Sequence, residues 1–127
     1  MIIPDDLKFT KSHEWVRFLD DDRIQIGITD FAQNALGDIV FINLPQEGDE
    51  AALGDPVCDF ESVKAVEDIM SPASGEICAV NEELADTPEL INSQPYAAWI
   101  VEICNISELA DLLDAAAYRS YCDEEGV

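Results

Sequence analysis

Few residues in this chain are equipped for covalent chemistry, and they are scattered: three lysines (Lys8, Lys11, Lys64), four cysteines (Cys58, Cys78, Cys104, Cys122) and one histidine, His13. The cysteines form no Cys-x-x-Cys pair, the clustered spacing that a zinc or redox site normally shows. Cys58, Cys78 and Cys104 each sit inside an apolar run, where a thiol packs as a small hydrophobe. No metal site is expected. A single histidine supplies neither a multi-histidine metal site nor a histidine-based catalytic dyad. Lys64 stands apart, because it lies between two short runs of strand-forming residues, 57–61 and 66–70. A lysine at a turn is most often simply solvated. The second reading is an amine presented for acylation. A lysine side chain is an ammonium near neutral pH and no nucleophile, so acylation requires a dedicated ligase. The acids Glu61 and Glu67 would let such a ligase recognise the turn by charge.

The elements that must position Lys64 read mostly as strands. Residues 15–19 lead into the turn Asp20-Asp21-Asp22. Residues 23–28 then alternate strictly and set Ile24, Ile26 and Ile28 on one face. Two such runs around an acidic turn predict an antiparallel hairpin. A short helix follows, with Asp30 and Gln33 in a capping-box-like start and Gly37 as its stop. Residues 38–44 are β-rich and end at Pro45-Gln46-Glu47-Gly48-Asp49. Strands are predicted over 57–61, 66–70 and 76–80, the last after a turn at 71–75. Asn81 is placed to cap a short helix beginning Glu82-Glu83-Leu84, and residues 98–104 read as a late strand. From Ser107 the period changes. Leu109, Leu112, Leu113 and Ala116 fall at helical spacing, which predicts a C-terminal helix over about 107–121 capped by Ser107. Many short strands, Gly/Pro turns and few helices point to a β-sandwich or open barrel with peripheral helices.

At 127 residues and 48% hydrophobic, the chain is expected to form one domain around a single core. Its formal net charge of −22 argues against nonspecific binding to nucleic acid or anionic membrane, both themselves negative. The charge favours basic partner surfaces. The plain alternative is that the acid keeps the protein soluble and monomeric. No apolar run approaches the roughly 20 residues needed to span a bilayer. The start, Met1-Ile2-Ile3-Pro4-Asp5-Asp6, lacks the basic segment and long apolar stretch of a signal peptide. A cytoplasmic monomer is expected.

The hairpin around Lys64 resembles the swinging-arm hairpin of lipoyl and biotinyl carrier domains. The full set of motifs is more specific. Ser12-His13-Glu14-Trp15-Val16, Gly27-Ile28-Thr29-Asp30, Ala35-Leu36-Gly37-Asp38-Ile39-Val40 and Glu61-Ser62-Val63-Lys64-Ala65 resemble, in order, the H-protein of the glycine cleavage system. So do Ser74-Gly75-Glu76, Asn81-Glu82-Glu83-Leu84, Pro88-Glu89-Leu90-Ile91-Asn92 and Leu112-Leu113-Asp114-Ala115. The similarity covers nearly the whole chain. It departs at Pro95-Tyr96-Ala97-Ala98-Trp99, one residue shorter than the family's usual segment and without its glycines, and at Glu102, where members often carry lysine.

The resemblance implies a mainly β, barrel-sandwich hybrid fold of two small antiparallel sheets with short peripheral helices and a C-terminal helix, one lipoyl-carrier domain over residues 1–127. It implies lipoate attached covalently to Lys64 and a carrier that is not itself an enzyme. The implied partners are a pyridoxal-phosphate glycine decarboxylase, a tetrahydrofolate-dependent aminomethyltransferase and dihydrolipoamide dehydrogenase. A lipoate ligase, or an octanoyltransferase with lipoyl synthase, would install the arm. In that family the segment matching Ser12 to Glu14 and the acid matching Asp68 line the cleft that receives the loaded arm. Ser12, Glu14 and Asp68 are therefore arm-contacting candidates, each with a plain structural reading as well. For His13 the structural role is favoured, and Trp15 is expected in the core or the cleft wall. A lipoyl-relay protein, or an H-like carrier serving other lipoate-dependent enzymes, would show the same motifs. An unmodified acidic β-sandwich adaptor is the alternative from another class.

Overall fold

The computed structural model describes residues 1–124, so the last three positions of the 1–127 span expected to form one domain lie outside the described residues. Two antiparallel sheets carry the fold. One has six strands in the order β1-β2-β3-β9-β8-β5: β1 (Lys8–Phe9), β2 (Glu14–Asp20), β3 (Arg23–Ile28), β5 (Glu50–Ala51), β8 (Ala73–Val80) and β9 (Val101–Leu109). The other has three, in the order β4-β6-β7: β4 (Ile39–Asn43), β6 (Pro56–Ser62) and β7 (Val66–Met70). The short helices α1 (Asp30–Leu36), α2 (Glu83–Asp86) and α3 (Leu90–Ser93) connect strands, and α4 (Ala115–Glu124) closes the described chain.

The strict alternation in β3 does what it predicts. Ile24, Ile26 and Ile28 face inward and are buried, and they pack with Ile42, Phe60 and Ile69 of the small sheet and Ile77 and Ile103 of the large one. The two sheets thus share one apolar core. A second cluster joins Phe9 and Trp15 to Ala115, Tyr118 and Cys122 of α4, with Phe9 and Tyr118 stacked at 4.6 Å. Among the described residues all four cysteines are free thiols, Cys58 and Cys122 buried and Cys78 and Cys104 partly so.

Several local expectations need correction. The C-terminal helix starts at Ala115 and not at Ser107, because residues 107–109 continue β9, where Glu108 and Leu109 pair with Ser74 and Ala73. Leu113, counted on the helical face, instead exchanges backbone hydrogen bonds with Phe9 at 2.8 Å each way. Asp114 then caps α4 by accepting from the Ala117 N–H at 2.8 Å. The predicted turn at 71–75 is tighter, since Ala73, Ser74 and Gly75 already belong to β8. Asn81 does not cap α2; its amide donates to the Trp99 carbonyl at 2.8 Å. At α1 the cap is Thr29, whose hydroxyl accepts from the Ala32 N–H, while Gln33 donates to the Asp30 carboxylate. The late strand begins at Val101, three residues after the position expected.

Candidate functional site

Lys64 sits at the tip of the β6–β7 hairpin and is exposed. Ser62 builds that tip. Its N–H donates to the Ala65 carbonyl at 2.8 Å, and its hydroxyl oxygen accepts from the Lys64 and Ala65 N–H groups, both at 3.1 Å. A serine side chain that satisfies two consecutive amides is a local turn device, so residues 62–65 hold their shape without burying the lysine.

The hairpin leans on the end of α1. Gly37 ends that helix at φ +77°, a left-handed conformation that favours glycine, and its N–H returns to the Gln33 carbonyl. A Cβ at Gly37 would stand 3.2 Å from the Val63 side chain and 3.7 Å from Lys64 Cε. The glycine therefore lets the hairpin lie close against the helix. Val63 N–H donates to the Asp38 carbonyl at 3.0 Å, and Asn92 ties the same corner by bonding Gly37 and Ile39 at 2.8 Å each. Lys64 Nζ then donates to the Ala35 carbonyl at 3.3 Å. The last turn of a helix leaves carbonyls without intrahelical partners, and one of them receives the ammonium.

Ala35 also lines a cleft of about 280 Å³ between α1, the hairpin and the loop before β2. Phe31, Leu36 and Phe60 supply apolar wall, and Ser12, Glu14, Glu67 and Asp68 supply polar groups. The arm-contacting candidates Ser12, Glu14 and Asp68 are thus brought to one cavity, and Lys64 bonds the carbonyl of Ala35 in its wall. The two ligase-recognition candidates separate. Glu67 lines the cleft, whereas Glu61 pairs with Phe41 and Val66 on the opposite, outward face of the small sheet.

Glu14 is the most unusual of these groups. It is 2% exposed, and one carboxylate oxygen accepts from the hydroxyls of Ser12 at 2.6 Å and Thr10 at 2.7 Å. Burial pushes its carboxyl above the ordinary range, opposed by those two hydroxyls and by a backbone hydrogen bond from Met70. Among the described residues no lysine or arginine pairs with it. The buried Cys58 thiol is pushed up to about 12, first by burial and then by the negative charges of Asp59, Glu14 and Asp68. Such a thiol is inert as a nucleophile near neutral pH. A cleft with apolar walls, the buried Glu14 carboxyl and the more exposed acids Glu67 and Asp68 suits a flexible apolar chain ending in a cation.

His13 is packed into the fold and also lines the cleft. It adopts φ +72°, stacks on Phe31 with ring centroids 4.6 Å apart, and Nδ1 lies 2.7 Å from the Tyr118 hydroxyl. Trp15 is fully buried, with Nε1 donating to the Pro95 carbonyl. The shortened 95–99 segment therefore serves as an anchor, and Tyr96 bonds both Ile2 and Asp30. Glu102 lies on the large sheet in an ion pair with Arg23. Sequence reasoning missed Thr10, Phe31, Ala35 and Phe60. Phe31, Ala32, Ala35 and Leu36 form one face of α1 by helical spacing, a signal that was present. Thr10 and Phe60 carried none.

Comparison with known proteins agrees with this geometry. A sequence profile described as "Glycine cleavage H-protein" matches residues 7–125. The "Probable glycine cleavage system H protein" of Pyrococcus furiosus is 50% identical over 122 residues, covering 94% of this chain and 91% of that protein. The "Glycine cleavage system H protein" of Aeromonas hydrophila is 50% identical over 126 residues, covering 97% of this chain and 98% of that protein. The crystal structure of a glycine cleavage system H protein from Mycobacterium marinum superposes with a TM-score of 0.87 at 35% identity, covering 98% of this chain and all of that one. A carrier hairpin, its cleft and a match running along almost the whole chain lead to one conclusion: the chain belongs to the glycine cleavage H-protein family.

Proposed function

We propose that this protein is the lipoyl carrier of glycine cleavage and that Lys64 is the residue that bears lipoate. The observation that carries the reading is the position of Lys64 Nζ, bonded to the carbonyl of Ala35, a residue that lines the same cleft as Glu14 and Asp68. Attachment forms an amide. The deprotonated Nζ attacks an activated acyl carbon, the C–N bond forms as the leaving group departs, and the extra proton on nitrogen is lost. Acylation removes the ammonium charge and leaves a single amide N–H on the nitrogen that bonds the Ala35 carbonyl.

When bound, lipoate supplies a dithiolane that opens to take up the aminomethyl group released from glycine and is reset by oxidation. The protein's own contribution is display and protection. The hairpin holds the attachment point clear of the body, so one tethered group reaches several active sites at high effective concentration. The cleft receives the loaded arm. Phe31, Leu36 and Phe60 would exclude water along it, and Glu14 and Asp68 would offer carboxylates to its cationic end. Ser12 and Thr10 hold the Glu14 carboxylate in place for that contact. The proposed partners are the glycine decarboxylase, the aminomethyltransferase and dihydrolipoamide dehydrogenase.

Intact-mass measurement and peptide mapping of protein from its native source test the assignment. A lipoyl increment confined to the peptide holding Lys64 is expected. Lys64→Arg keeps the charge but forms no such amide, so it should fold normally and lose all carrier activity. Lipoate retained by that variant would refute Lys64 as the site.

A further inference from the structure

The large sheet holds a pair of thiols that neither the cleft nor the hairpin uses. Ile77 of β8 and Ile103 of β9 pair with each other and point into the core. Side chains alternate across a strand, so their neighbours Cys78 and Cys104 turn to the outer face, where both are partly exposed. Cys58 and Cys122 are instead buried, one in each apolar cluster.

Strand register explains how the two thiols meet. Cys104 stands opposite Glu76, which makes Cys78 its diagonal neighbour. Diagonal neighbours ordinarily lie about 7–8 Å apart, beyond the Cα separation of about 4.4–6.8 Å that a disulfide spans. Here the register slips between Ile77 and Ala79, leaving Cys78 as the extra residue of a bulge. It lies between the Ile77–Ile103 and Ala79–Glu102 pairs, set back toward Cys104, and the two thiols hydrogen-bond. A second slip falls between Ser74 and Glu76, where Asn105, next to Cys104, takes φ +55°. Bulges disrupt a ladder locally, so the backbone is least constrained around this pair.

The surroundings set the order of reaction. Burial, then the hydrogen bond and charge of Cys104, push the Cys78 thiol up to about 12; Arg23 opposes the rise and Glu102 adds to it. Cys78 therefore keeps its proton longer, which leaves Cys104 to attack first. We infer that Cys78 and Cys104 are a redox-active dithiol that closes to a cross-strand disulfide by exchange with small disulfides. Cys104 loses its proton to solvent and attacks one sulfur of oxidised glutathione, and the first glutathione leaves as its thiol. That step removes the Cys104 charge and with it part of the rise at Cys78. Cys78 then loses its proton and attacks the Cys104 sulfur from the neighbouring strand, releasing the second glutathione. The protein gives up two hydrogens and two electrons, and the small disulfide takes both. The new bond staples β8 to β9.

The test uses the full chain without lipoate, so that no arm dithiol enters the count. The protein is equilibrated at about pH 8.5, the ordinary thiol pKa, in glutathione buffers of rising oxidised fraction. It is then quenched in acid, alkylated in denaturant and measured by intact mass. Four alkylated thiols are expected in reduced buffer. In oxidised buffer two are expected, with two hydrogens lost and no glutathione retained. No lysine or arginine lies between Lys64 and Arg119, so the link is mapped with a protease that cuts after acids. Cys78→Ser should stop at the intermediate, with one glutathione held on Cys104. Four alkylated thiols in every buffer would overturn the inference. So would glutathione retained on Cys78 or Cys104 of the unsubstituted chain, or a link to Cys58 or Cys122.

Discussion

The two sheets share a core, and their outer faces are built on opposite terms. Across the large sheet Arg17, Gln25, Glu102 and Arg23 bond in sequence from β2 through β3 to β9. Arg17 donates to Gln25 at 3.1 Å, Gln25 to Glu102 at 2.9 Å, and Arg23 to Glu102 at 2.7 Å. Charge is matched there with charge. Across the small sheet Asp59 faces Asp68, and Glu61 lies between Phe41 and Val66. Like charges directly opposite on neighbouring strands are destabilising, and exposed valine and phenylalanine gain nothing from burial within this chain. One face has completed its interactions internally. The other leaves acids and apolar side chains exposed, and the hairpin that carries Lys64 extends from it.

Breaking the large sheet should have the largest effect on stability. A Cβ at Gly75 would lie 2.5 Å from the Cys104 carbonyl oxygen, a backbone atom that cannot move without disturbing the β8–β9 ladder. Gly75→Ala is expected to cost about 2–3 kcal/mol, measured by denaturant titration. Phe41→Thr on the small sheet's exposed face should stay within about 0.5 kcal/mol of the unmodified chain. Equal losses would show that the two faces do not differ as described.

The next effect falls on the cleft. Glu14→Gln with Asp68→Asn preserves shape while removing both negative charges. The lifetime of the loaded arm, followed by mass spectrometry without the transferase, should shorten about tenfold, in keeping with the loss of charge-assisted hydrogen bonds. Equal lifetimes would return both acids to a structural role.

The smallest effect is on pH dependence, and its sign follows from Glu14. Burial raises its folded carboxyl pKa above the ordinary value of 4.5, so the folded state holds that proton more tightly than the unfolded state. Stability from this group is therefore lost as pH rises from about 4.5 through the folded value, and does not change further above it. Glu14→Gln lacks this loss. The two proteins should converge near pH 4 and separate toward pH 7, with the variant gaining. A gap that stays flat with pH would show that the carboxyl is not desolvated.

Much of the scaffold was legible because it is local. The period-two run of Ile24, Ile26 and Ile28 and the bounds of α1, set by Asp30 and Gly37, follow from neighbours within a few residues. Leu109, Leu112 and Leu113 misled for the same reason. Their spacing is helical, yet pairing with β8 and with Phe9 prevailed over it. Such pairing is contributed by residues far away in sequence, and local propensity is a weak prior against it. The candidate site divides along the same line. Ser12, Glu14 and Asp68 entered through motifs, whereas Thr10 and Phe60 became visible only once strands met.

Sequence alone determined that Lys64 would stand on a hairpin. The two strand runs that flank it, and Gly37 that ends the preceding helix, act through short-range geometry. Tertiary structure decided what surrounds that lysine. The Ala35 carbonyl reaches Nζ only because α1 ends under the hairpin, across 29 residues of chain. Glu14 is an ordinary acid in any local reading. Its raised proton affinity depends on desolvation by elements folded over it, and desolvation is a property of packing that no neighbouring residue can specify.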